Sequence, residues 1–155
     1  MTQFIKVFLI AAALGLIVFF WTASQVTSIE QVDTNTASFR FRAVLEQFED
    51  TRSMLTMDGG GRVTRRTRRS KALIPVVPTG LKILAWRGST IGLVEVHIPM
   101  WFLRMKGPAI NYLLKETKFD LQSWGLTVEE LQDWGPGVVL DHQSAAGERV
   151  LIWTE

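Results

Sequence analysis

The sequence predicts an α+β chain: an apolar N-terminal helix, then a small domain of antiparallel hairpins with short helices. Three observations carry this. Val7 to Ala23 is a run of 17 residues without a charge. Three later stretches alternate apolar and polar residues about Gly-, Ser- or Asp-rich turns, the pattern of hairpins. Helical periodicity falls between these hairpins rather than after every strand, which argues against a doubly wound parallel sheet.

With Phe4 and Ile5 added, and Lys6 reaching back to the interface, the apolar run is about 20 residues long, enough for a hydrocarbon core of about 30 Å. Trp21 lies at its far end, where aromatic rings favour the membrane interface. A transmembrane anchor over residues 1–23 is the expectation. A cleaved signal peptide is the alternative, with Thr22-Ala23-Ser24 as its small residues and bulky Phe19, Phe20 and Trp21 against it. Lys6 lies before the run, while the first positives after it are Arg40 and Arg42. This places the N-terminus in the cytoplasm and the following domain outside it. Residues 24–37 are polar and read as a linker; 38–155 form the domain.

In FRFRAVLEQFED, Phe41, Val44, Leu45 and Phe48 share one helical face, although Phe39 and Phe41 could also begin a strand. SMLTMDGGGRVTRR reads as two strands about Asp58-Gly59-Gly60-Gly61. A phosphate-binding reading fails, because no helix-forming run and no Gly-Lys-Ser/Thr follows. Residues 62–80 form a basic extended connection. LKILAWR and IGLVEVHIP make a second hairpin, with Val94, Val96 and Ile98 on one side and Glu95 and His97 on the other. Met100 to Glu116 shows a helical face that Gly107-Pro108 interrupts. Asp120 and Gly125 bracket a short helical turn. Thr127 and Glu130 form a capping box closed by Gly135-Pro136. GVVLDHQ and ERVLIWTE make the third hairpin, so the last strand is expected to pair in the sheet. Asp141 and His142 point to opposite faces of their strand.

Charge divides the chain. Arg62, Arg65, Arg66, Arg68, Arg69 and Lys71 lie together without an acid, and from Ile110 to Glu155 there are three basic against eight acidic residues. The basic run is a candidate contact for an anionic lipid surface or an acidic protein partner. It contains no aromatic to stack on bases, which disfavours nucleic acid. A solvated linker is the plain alternative. The absence of cysteine excludes disulfides, thiolate metal sites and thiol nucleophiles, and two histidines, His97 and His142, cannot make a His-rich metal site. No cofactor motif occurs. Glu95 and His97 are a candidate acid–base pair, with a solvent-facing polar pair as the plain alternative. Trp86, Trp101, Trp124, Trp134 and Trp153 are expected mostly in the core; two exposed together would mark a binding surface.

Ile98-Pro99, Trp101 to Leu103, Gly135 to Asp141 and Gly147 to Glu155 give the C-terminal half a pattern that resembles small C-terminal modules of uncharacterised bacterial proteins, SHOCT-like ones included. The resemblance implies a bacterial origin and a compact α+β module. It brings no site, substrate or cofactor. The sequence therefore points to a single-pass membrane protein with an accessory or interaction role and no catalytic constellation. The alternatives are a cytoplasm-facing tethered domain that binds anionic lipid or nucleic acid, and a small hydrolase or ligand-binding protein.

Overall fold

Arg149–Thr154 alternates Val150 and Ile152 with Leu151 and Trp153, apolar on both sides, which suits a strand covered on both faces. In a computed structural model, which describes residues 27–48, 52–67, 76–104 and 124–155, this segment is strand β7 and lies in the middle of the sheet. The other strands are β1 (Thr27–Glu30), β2 (Leu55–Met57), β3 (Val63–Arg66), β4 (Gly80–Trp86), β5 (Leu93–Pro99) and β6 (Gly137–Gln143). They form one seven-stranded sheet in the order β1-β5-β4-β7-β6-β2-β3.

This corrects the expected set of antiparallel hairpins with interspersed helices. The hairpins β2–β3, β4–β5 and β6–β7 are present, but they join into a single mixed sheet. The joins are the antiparallel β4–β7 pair and a parallel contact of β2 with β6 at Leu55 and Leu140. Local alternation reports each strand and its turn but not which hairpins become neighbours. Residues expected to be linker also enter the sheet. Thr27–Glu30 pairs with β5 as an edge strand, and Gly92 is needed there, because a Cβ would collide with the Glu30 carbonyl.

Helix α1 (Thr34–Leu45) starts earlier than its apolar periodicity suggests, because Asp33 caps it by accepting from Thr36 N at 2.8 Å. Ala37 and Phe41 face the sheet and are buried with Leu84, Trp86, Leu93, Val138, Leu151 and Trp153. Full burial of a side chain such as Phe41 contributes roughly 1.5–3 kcal/mol. Arg149 holds the same helix from below. It donates to Asp141 through Nε (3.0 Å) and Nη2 (2.8 Å), and its guanidinium lies 4.7 Å from the Phe41 ring centre. Such two-pronged, charge-assisted pairing fixes orientation as well as distance.

The opposite face carries Leu81, Ile83, Val94, Val96, Ile98, Leu140 and Ile152. It packs against helices α2 (Met100–Leu103) and α3 (Val128–Trp134) through Met100, Leu103, Leu131 and Trp134. Thr127 caps α3 by the expected box: its hydroxyl accepts from Glu130 N at 3.1 Å, and its own N–H donates to Glu130 Oε2 at 3.0 Å. The longer helix expected over 100–116 is described only at Met100–Leu103; its remainder and the turn near Asp120 lie outside the described residues.

The expected anchor over 1–23 also lies outside the described residues. Among those described, no helix is long and apolar enough to cross a membrane. The longest, α1, has 12 residues, about 18 Å at 1.5 Å per residue against a hydrocarbon core of about 30 Å. The single-pass, transmembrane and extracytoplasmic assignments are corrected accordingly.

Thr127→Ala removes one half of the capping box and is expected to cost about 1 kcal/mol, read as a lower urea midpoint with an unchanged slope. Asp33 gives a pH test. The bonds from Thr36 hold its carboxyl below the ordinary value of 3.8. Its charge therefore stabilises the fold above 3.8, and that contribution is lost as pH falls through the lower folded-state value. Asp33→Asn keeps a capping oxygen without the titration. The stability difference between the parent chain and this variant is expected to shrink between pH 5 and pH 2.5 in paired urea titrations.

Candidate functional site

Strand β6 contains one residue too many for its partner. Val138 faces Trp153 and Leu140 faces Ile152, so Val139 is a bulge. The bulge inverts the alternation that follows. Leu140 and His142 now share the α3 face, while Asp141 turns to the α1 face and meets Arg149. Asp141 and His142 thus lie on opposite faces, and the bulge decides which is which.

Register then builds a cleft in rows. Ile83, Ile152 and Leu140 lie side by side across β4, β7 and β6, all buried, and of these Leu140 reaches the cleft. One step along the strands the row is Ala85, Val150 and His142. One step further it is Arg87, Glu148 and Ser144, set by the last pair, Trp86 with Arg149, and by the bond from Ser144 N to Glu148 O at 2.8 Å. The face therefore grades from aliphatic to polar over three rows. Ala85, itself buried, lines the cleft beside Leu140 and Val150. The resulting cleft has a volume of about 290 Å³, at the lower end of small-molecule sites.

Two walls close it. One is the β2–β3 hairpin, which brings Met57 and Gly59-Gly60-Gly61; the other is Trp124, ahead of α3. Asp58 organises the hairpin turn. Its Oδ1 accepts from Gly60 N and Arg62 N, each at 2.9 Å. The Arg62 bond, with lesser help from the Gly60 bond, the Arg62 charge and the His142 charge, holds the Asp58 carboxyl below its ordinary value against some desolvation. Gly61 takes φ 78°, a left-handed conformation that suits glycine.

The basic run divides here. Arg66 is a strap between the walls: it donates to the Trp124 carbonyl and, at 3.1 Å, to the Gly125 carbonyl, and it lies 3.6 Å from Glu130. Gly125 permits this, since a Cβ there would come 2.7 Å from the guanidinium. Arg62 and Arg65 are exposed on or beside the edge strand, and Arg68, Arg69 and Lys71 lie outside the described residues. Charged side chains on an edge strand also discourage pairing with other chains.

Glu95 and His97 stand on the α1 face of β5, away from the cleft, and both are exposed. His97 meets Glu155 rather than Glu95: Nε2 lies 3.9 Å from Glu155 Oε1, and Lys82 Nζ lies 2.9 Å from Glu155 Oε2. His97 also crosses Gly80, where a Cβ would come 2.6 Å from its Nε2. Among the described residues no group of three potential ligands could hold a metal ion. Of the described tryptophans only Trp101 is exposed, edge-on to Phe102; Trp86, Trp134 and Trp153 are buried and Trp124 is half-buried. No family model, curated protein or solved structure matches the chain.

Arg66→Gln is expected to loosen the hairpin wall while the rest of the sheet holds. Its surface ion pair and carbonyl bonds together contribute about 1 kcal/mol. Amide hydrogen exchange should accelerate in β2 and β3 by about fivefold, with β4 and β7 unchanged.

Proposed function

We propose that this chain is a binding module that holds a small molecule in the cleft between the β2–β3 hairpin and Trp124. The observation that supports this is the three-row gradient on β4, β7 and β6. An apolar floor that includes Ala85 and Leu140 passes into an imidazole and then a polar rim. Ligand sites combine an apolar body with a few placed polar groups in this manner. The polar groups that meet there are spread across three strands and carry opposite charges at the rim, an arrangement that orients a ligand. The accessory or interaction role read from the sequence then becomes a ligand-dependent one, with Arg66 coupling the occupied cleft to the hairpin edge.

A fragment screen by thermal shift tests the reading. A ligand at ten times its Kd stabilises the fold by about 1.4 kcal/mol, a rise of several degrees for a domain of this size. Ala85→Met sends a longer side chain up from the cleft floor and is expected to abolish the shift for every fragment that binds the parent chain. Fragments that stabilise both chains equally, or an empty screen, would overturn the proposal.

A further inference from the structure

We infer that the cleft takes a single planar aromatic ring carrying an uncharged hydrogen-bonding group, such as a carboxamide; the inference rests on the binding reading above. Size sets the first limit. An apolar cavity of about 150 Å³ accommodates benzene. A cleft of about 290 Å³ therefore has room for one ring and a short substituent, and little room for a second ring system.

The walls set the second. Met57 and Trp124 line the cleft together with Ala85, Leu140 and Val150. Thioethers and indoles both make favourable contacts with ring faces and edges. A flat aromatic body offers a face and an edge to both kinds of side chain, which an aliphatic ring does not.

The polar end sets the third. Ser144 lines the cleft, and its hydroxyl oxygen is buried without a hydrogen-bond partner among the described residues. A buried hydroxyl in that state is costly, and a ligand group that bonds to it recovers the loss. His142 stands on the same strand one row nearer the floor. Together they suit a group that both donates and accepts. Charge complementarity points to a neutral ligand. At the rim, register sets Arg87 opposite Glu148. A ligand with a full charge would upset this balance in a partly desolvated place.

The test uses the full chain labelled with 5-fluorotryptophan and observed by fluorine NMR. The Trp124 resonance is assigned from its loss in Trp124→Phe. Four probes of matched size are titrated: benzamide, benzoate, benzylamine and cyclohexanecarboxamide. Benzamide is expected to move the Trp124 resonance saturably, at least tenfold more tightly than each of the others. Ser144→Ala, with its remaining resonances unmoved, is expected to weaken benzamide about fivefold. Equal or tighter binding at Trp124 by benzoate, benzylamine or cyclohexanecarboxamide would overturn the assigned ligand class and leave the binding module standing. Unchanged benzamide affinity in Ser144→Ala would overturn the assignment of the polar end. If neither these probes nor any fragment from the thermal screen moves Trp124, the inference and the binding reading fall together.

Discussion

The fold hangs on the insertion of β7 between β4 and β6. Antiparallel ladders run from Leu81–Thr154 to Trp86–Arg149 on one side and from Gly137–Thr154 to Gln143–Arg149 on the other. Without this strand the β5–β4 pair and the β6–β2–β3 group share no edge. Its side chains also join the two layers of core: Ile152 is buried under α3, and Leu151 and Trp153 are buried under α1. The buried Thr154 closes the end of the strand. Its hydroxyl lies 2.6 Å from Gly135 O and 3.2 Å from Gly137 O, so the C-terminus of α3, the start of β6 and the end of β7 are tied at one point.

The cleft is a consequence of the same pairing. The bulge at Val139 lets Val138 and Leu140 serve opposite cores while the ladder to β7 continues. Its by-product is that His142 emerges on the α3 face beside Val150 and Ala85. A strand without the bulge would place His142 under α1, where Phe41 and Arg149 already fill the space. The parallel contact of β2 with β6 then brings the glycine hairpin alongside, and Arg66 fixes the distance between hairpin and Trp124. A bulge in one strand and a parallel contact between two others together build the site.

Much of the local structure was legible because it is written in neighbouring residues. The alternation of Val94, Val96 and Ile98, the Thr127–Glu130 box and the turns at Gly61 and Gly147 are each decided within a few positions. What escaped depends on residues far apart. Thr27–Glu30 is polar enough to look like linker, and only the partner edge of β5 makes it a strand. Arg66 belongs to a basic run by sequence, yet its contacts are 58 and 59 residues away. The cleft residues carry no motif, since Ala85, His142 and Ser144 become neighbours only through the β4–β7–β6 register. The signal available was the pairing of two strands with short apolar runs, GVVLDHQ and ERVLIW, which suits burial on both faces. The bulge between them would still have reversed the faces.

The register of β7 is therefore the claim on which the fold and the cleft stand together, because a slip of one residue would turn every side chain of a strand to the other face. The direct measurement is a set of cross-strand nuclear Overhauser contacts around Val150 in the full chain. Contacts from Val150 to Ala85 on one side and to the His142 ring on the other are expected, with Leu151 contacting Leu84 and Asp141. Contacts from Val150 to Leu84 and Asp141 would put Val150 under α1, dissolve the Ala85–Val150–His142 row and contradict the account.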